Sequence, residues 1–301
     1  MQDIDINIDT QPETIVITKS IDLWYQEATI SSRAIKDVKG GENLTLKYKG
    51  NQIFDGIIGS VSESFSIEGT KHTIVARTKN WPVEYSSYSR DDVYWSEDPT
   101  LEQYLKQVSI DLDIDFKIDK SCSQTEITPP DTNPGTNIKS AILAACRSLE
   151  ADVWSIDGKT LQIGKYKANG LLKADSGVNI IEWEKVKNNF NYCHKYSLFG
   201  QSYDGDYLEY SKSLSDAPFK GLFCTSISTE SSEKELKAKV LSEIERRKRY
   251  ANALYLTIKG WNANLLESLK WRGSEYLVHS LRHTFSFEDG FRTQMNLFKV
   301  D

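Results

Sequence analysis

What most constrains the fold of this chain is its hydrophobic period, which changes twice along the sequence. Between residues 14 and 80 the pattern is that of strands. Leu44, Leu46 and Tyr48 alternate with Thr45 and Lys47. Successive strand side chains point to opposite faces, so a period of two marks a half-buried strand. Gly50-Asn51 then reads as a turn and Ile53 to Ile58 as the return strand of a hairpin. Another strand runs from Val61 to Ile67, and Glu68-Gly69 turns the chain into a last one, His72 to Arg77.

Near residue 90 the period becomes that of a helix. Thr100 with Gln103 three residues on forms a capping box, preceded by Pro99. Leu101, Tyr104, Leu105, Val108 and Leu112 then share one helical face. Ile114, Phe116 and Ile118 alternate as a short strand, and residues 121–137, with three prolines and a glycine, read as a loop. A second unit repeats this grammar. Thr136 is placed to cap a helix whose apolar face is Ile138, Ala141, Ile142, Ala145 and Leu149. Val153 to Ile156, the turn Asp157-Gly158 and Leu161 to Ile163 follow as a hairpin.

The strand period then returns, in Ile180 to Trp183 and Tyr192 to Phe199. One helix interrupts it, at about 232–251. Ser232 and Glu235 make its capping box, and Leu236, Val240 and Ile244 its apolar stripe. Four pairs on it have the favourable i,i+4 orientation: Glu233–Lys237, Glu235–Lys239, Glu243–Arg247 and Glu245–Arg249. Strands from Leu254 to Lys259, Tyr276 to Phe287 and Arg292 to Val300 close the chain, with Glu288-Asp289-Gly290 turning the last hairpin. The expected fold is α+β, mainly β. Two β regions, residues 1–90 and 166–301, flank an α+β insert of two helix–strand units at 91–165. The helical faces of the middle and the alternating faces of the flanks cannot form one continuous layer.

A search for reactive groups supports no catalytic, cofactor or metal site. His279 and His283, on one strand, would stand about 13 Å apart, too far to share an ion. Cys193 and His194 are strand neighbours and point to opposite faces. There is no Gly-rich phosphate loop, nucleophile elbow or HExxH. Acidic groups such as Asp91-Asp92 and Asp111/Asp113/Asp115 are expected on a solvated face. The basic run Arg246 to Arg249 lies in the last helical turn, where cations offset the macrodipole. The chain is expected not to be an enzyme.

Net charge is −6, from 37 Lys and Arg against 43 Asp and Glu, which argues against tight nucleic-acid binding. No run of about 18 apolar residues suggests a membrane helix, so no membrane insertion is expected. The N-terminus lacks a signal-peptide pattern. The scattered Cys122, Cys146, Cys193 and Cys224 read as reduced cytosolic thiols. The 15 Tyr and 7 Trp form a pool of side chains suited to interfaces.

In its order of features the chain resembles the Mu-type phage baseplate hub proteins, also known as late control gene D-like tail proteins. These are relatives of the hub part of type VI secretion spikes. Residues 40–87, with Phe54-Asp55-Gly56-Ile57 and a strand ending in Arg77, look like the family's opening β-domain. Residues 100–118 are similar to its first helix–strand unit, and Pro134-Gly135 through Leu161 to its second. Gly260-Trp261 and the hairpin at 288–298 are similar to its closing strands. Arg77, Gly260 and Trp261 are carried over as family-motif or intersubunit positions.

The resemblance implies that each β region is a tube-like antiparallel barrel. It also implies a homotrimer, whose pseudo-sixfold ring joins a hexameric tail tube to a trimeric spike and lets DNA pass without holding it. The implied partners are the chain itself, a tail tube protein, a spike or tail-tip protein and baseplate wedge proteins. The implied place is the tail baseplate of a virion assembled in the host cytoplasm. A hub of a tail-derived injection or secretion system would carry the same features. Two readings of another class are a cell-wall-degrading enzyme, which lacks a catalytic constellation here, and a carbohydrate-binding tail-tip protein, which would need exposed Trp. Trp154, Trp183 and Trp261 adjoin expected elements, which favours core or interface roles.

Overall fold

In the computed structural model the described residues are 3–67, 69–87, 98–110, 112–130, 135–175, 177–187, 192–202, 204–217, 219–230 and 233–300. The first β region holds β1 (Ile4–Ile6), β2 (Thr10–Ser20), β3 (Glu27–Ile35), β4 (Asn43–Tyr48), β5 (Asn51–Ser66), β6 (Gly69–Arg77) and the short α1 (Trp81–Tyr85). The middle holds α2 (Leu101–Val108), β7 (Asp115–Ile118), α3 (Lys120–Ser123), α4 (Ile138–Arg147), β8 (Asp152–Trp154) and β9 (Thr160–Gly164). The last region holds β10 (Ile180–Lys187), β11 (Cys193–Gln201), β12 (Tyr207–Ser213), β13 (Phe219–Glu230), α5 (Glu233–Ala251), β14 (Asn252–Lys259), β15 (Ser268–Trp271), β16 (Ser274–Ser286) and β17 (Gly290–Val300). The fold is α+β and mainly β, as expected.

The two flanks are hydrogen-bonded to each other. An eleven-stranded sheet runs β1-β4-β5-β6-β3-β2-β16-β17-β14-β10, with β15 added beside β16. The join is the antiparallel pair β2–β16, where Ile17 faces His283 and Lys19 faces Leu281. Two apolar clusters lie along this sheet. One holds Ile15, Ile17, Ile30, Leu44, Leu46, Phe54 and Ile74; the other holds Leu254, Leu256, Ile258, Tyr276, Val278 and Leu297.

Local chemistry explains several boundaries. Ile53–Ile58 and Val61–Ile67 are not separate strands, because β5 runs unbroken from Asn51 to Ser66. Gly59 falls where the register slips between Ile58 and Ser60, so this glycine marks a bulge rather than a turn. The Thr100–Gln103 capping box forms as expected, with Gln103 N–H donating to Thr100 Oγ1 at 3.3 Å. The second cap is displaced by one residue. Asn137, not Thr136, takes the extended cap conformation, and its Oδ1 accepts from Ser140 N–H at 3.1 Å. The expected loop begins instead with the short helix α3, capped by Asp119 just before it. Ser232 and the Glu235 side chain, the expected cap of α5, lie outside the described residues, as do Asp91-Asp92, Asp111 and Pro134.

The insert has its own small sheet, β7-β9-β8, and its own core. It is tied to both flanks. Trp24, from the loop after β2, is buried in the insert core, and Trp154 of β8 is buried in the core of the last region. Gly158 sits at φ +72°, and a Cβ there would lie 2.1 Å from Thr78 Oγ1. Only glycine fits that left-handed, closely approached position. Asn80 N–H donates to Gly158 O at 3.0 Å, completing the contact with the end of β6.

A third sheet, β12-β11-β13, pairs β11 with β12 antiparallel and with β13 in parallel. Leu236, Val240 and Ile244 of α5 pack on it beside Tyr196 and Leu198. This is the stripe expected from the sequence.

Candidate functional site

Gly260 and Trp261 lie where the two flanks meet. Gly260 is at φ +90°; its N–H donates to Phe291 O at 2.7 Å, and its carbonyl accepts from Thr293 Oγ1 at 2.7 Å. The adjacent Trp261 is buried in the core of the first flank, packed on Tyr48 and Phe291 with ring centroids 5.6 and 5.2 Å away. Its indole N–H donates to Thr284 O at 2.8 Å. Trp261 thus joins the closing strands to the core of the first flank. Arg77 is half-buried at the end of β6. Its Nε lies 2.8 Å from Glu27 Oε2, and its guanidinium lies over the rings of Tyr25 and Tyr85 at 5.4 and 5.7 Å. The Glu27 hydrogen bond raises the Arg77 pKa, and burial pushes the neighbouring Tyr25 phenol up to about 12.

The two strand histidines have separate environments. His283 is buried, and burial pushes its pKa well below the usual value, with Lys19 adding to the effect. Thr293 spends its hydroxyl proton on Gly260 O, so His283 Nδ1–H donates to Thr293 Oγ1 at 2.7 Å. His279 instead approaches Asp22 Oδ2 at 3.0 Å, and Tyr250 O–H donates to the same oxygen at 2.7 Å. Burial opposes the Asp22 charge, but these hydrogen bonds outweigh it and hold the carboxyl at about 2. Asp22, Tyr250 and His279 thereby fasten the loop after β2, the end of α5 and β16 together. Among the described residues no group of three His, Cys, Asp or Glu is placed to hold a metal ion.

The basic run of α5 does more than face a helix end. Glu243 pairs with Arg246 and Arg247. Arg249 leaves the expected Glu245 and makes a bidentate pair with Asp152 of β8 at 3.1 and 3.2 Å. Its guanidinium also stacks 4.7 Å from the Tyr166 ring. No sequence signal pointed to Asp152, which is 97 residues away.

Surfaces suited to assembly lie elsewhere. Among the described strands the large sheet is open, ending on β1 and β10. Unpaired N–H and C=O groups on such edges are templates for another strand. Most of β10 is exposed on both faces, including Ile181 and Trp183. Arg272 covers Trp183 at 4.3 Å, and the Trp271 ring lies 5.8 Å from Trp183. The tip of the β5–β6 hairpin, paired as far as Ser66 and Gly69, extends as an arm past the last β3–β6 pair, Ser32 and His72. From Gly59 to Ser66 it is exposed on both faces, and Phe65 at its end is 84% exposed. A strand exposed on both faces with a large apolar tip buries little within its own subunit. Such surface is suited to contact with another chain.

This is the fold of phage tail proteins. The tail protein of Neisseria meningitidis MC58 superposes with a TM-score of 0.76 at 16% identity, over 99% of this chain and 96% of that one. The 43 kDa tail protein of prophage MuSo2 from Shewanella oneidensis gives 0.77 at 12%, over 98% of each chain. The E. coli c3393 protein, a type VI secretion component with structural similarity to the T4 tail proteins gp27 and gp5, gives 0.62 at 8%, over 99% of this chain and 77% of that one. No protein-family model and no curated protein matches the sequence. The resemblance read from the order of sequence features is therefore met at the level of the fold.

Proposed function

We propose that this chain is a structural, non-catalytic subunit of a phage-type contractile tail, the hub at the centre of the baseplate. Three copies form a pseudo-sixfold ring that joins the tail tube to the spike and leaves a passage for DNA. The observation that carries this reading is the match over nearly the whole length of two tail proteins. The open edges of the large sheet and the projecting arm support it. A closed ring needs one surface of the subunit to fit another, and β edges supply such surfaces.

Net charge supports a passage role. An acidic wall repels phosphate within a Debye length of about 8 Å. In the ring the inner wall is acidic or neutral, with Lys and Arg displaced outward. The fold shared with a type VI secretion component favours a second reading of the same architecture, the hub of a tail-derived injection system. Electron microscopy of the purified chain tests the proposal. Class averages with threefold symmetry and a central channel are expected. Isolated subunits, or a channel lined by Arg246–Arg249, would overturn it.

A further inference from the structure

The arm at the tip of the β5–β6 hairpin leaves one strand edge open. The outer edge of β5 is covered only as far as Ile58, where Asn43 pairs with Ile57 and Ile58 N–H donates to Glu42 O at 2.8 Å. From Gly59 to Phe65 no described strand lies beside that edge. The two faces of this stretch differ. Val61, Glu63 and Phe65 share the face of the buried Ile74, and Val61 and Phe65 are 40% and 84% exposed. Ser62 and Ser64 face the other way, opposite Thr73 and Lys71. The second open edge, β10, is eight residues long. Its Trp183 and Lys185 lie opposite the buried Leu256 and Leu254, and Glu184 lies opposite Tyr255. Glu63 and Lys185 are both exposed, and neither has an ion-pair partner among the described residues.

We infer that the arm of one copy adds to the β10 edge of a neighbouring copy as an antiparallel strand, with Glu63 opposite Lys185. This rests on the ring proposed above and names its contact. The register follows from the side chains. With that pair set, Phe65 falls opposite Trp183, and Ser64, with Lys71 beside it, falls opposite Glu184. Directly opposed residues on antiparallel strands stand about 4.5–5.5 Å apart at Cβ, so an aromatic pair and an ion pair form together. A slip of two residues sets Phe65 against Lys185 in one direction and Glu63 against Trp183 in the other. A slip of one sends Phe65 to the face of Glu182 and Glu184. Arg272 at 4.3 Å and Trp271 at 5.8 Å already pack on the Trp183 ring, which limits the freedom it loses on contact. The pairing also keeps both cores on one side of the sheet, as the β2–β16 join does with the buried Ile17 and His283. Within one subunit seven strand steps separate β5 from β10, about 33 Å along the sheet, which favours a second copy over the chain's own edge. First flank then meets last flank in every contact, within and between copies, the head-to-tail arrangement that closes a ring.

The test places two cysteines in the full chain, Glu63→Cys with Lys185→Cys, and oxidises it with glutathione disulfide. Links between chains are expected, ending at three copies. They should be absent from either single variant and from Glu63→Cys with Glu184→Cys, whose side chains face opposite ways. Phe65→Ala should weaken association in sedimentation by about tenfold per contact, with thermal unfolding of the subunit unchanged. Glu63→Lys with Lys185→Glu should recover the association that either change alone weakens. A trimer that forms no such link and tolerates Phe65→Ala refutes the pairing alone and leaves the arm to another tail protein. A link within a single chain overturns the inference as well. Linked chains that grow past three copies refute the ring and leave the pairing standing, and a monomer without links refutes both.

Discussion

Lys19 offers the sharpest test of how this fold is balanced. It lies on β2 at the join between the flanks, buried on the face that carries Ile15 and Ile17, and is only 6% exposed. Burial lowers its pKa from 10.5 to about 8, although Glu267 draws it upward. Below pH 8 the amine is charged in both the folded and unfolded chain, and the fold bears the whole penalty. Between about 8 and 10.5 the unfolded chain keeps a proton that the folded chain has released, so stability rises with pH. At 1.36 kcal/mol per pKa unit this shift corresponds to about 3 kcal/mol. Lys19→Met keeps the length of the side chain and removes the charge. At pH 7 it should stabilise the protein by about 2–3 kcal/mol, since Glu267 loses a favourable neighbour. Urea unfolding midpoints of both proteins at pH 7 and pH 10 measure the difference. The gain should shrink steeply at the higher pH. A variant less stable than the parent at pH 7, or a gap that does not change with pH, would refute the reasoning.

Two further substitutions probe how the insert is attached. Gly158→Ala forces a Cβ against Thr78 at a left-handed position and should cost about 2–3 kcal/mol in thermal unfolding; an unchanged melting temperature would show that the close approach is not needed. Arg249→Lys keeps the charge but loses the bidentate pair with Asp152 and the stack on Tyr166, and should cost about 1 kcal/mol in the same assay. In an Asp152→Asn background most of that cost should vanish, which a double-mutant cycle reads directly.

What was legible in the sequence is what local physics dictates. Leu44, Leu46 and Tyr48 alternate because one face of β4 is buried, and the stripe of α5 appears because its burial follows the helical repeat. Elements without a period of their own were missed. The helix α1 has five residues and opens on Trp81-Pro82, and β15 has four. The strands β12 and β13 exist through their pairing with β11, which is antiparallel on one side and parallel on the other. Cap placement slipped at Asn137 because Thr136 and Asn137 can both cap, and only the backbone decides between them. The candidate site was harder to read. Gly260 and Trp261 stood out as a motif, but the contacts of Trp261 with Tyr48 and Phe291 depend on how β4 and β17 come together in the folded chain. The exposure of Trp183 arises from tertiary placement, which no residue spacing encodes.

The central claim, that this chain is built to form a threefold ring, is tested most directly by its mass in solution. Light scattering at high micromolar concentration should give three times the chain mass of 34.3 kDa. A species that stays at 34.3 kDa under those conditions, even with a trimeric spike protein added, would contradict it.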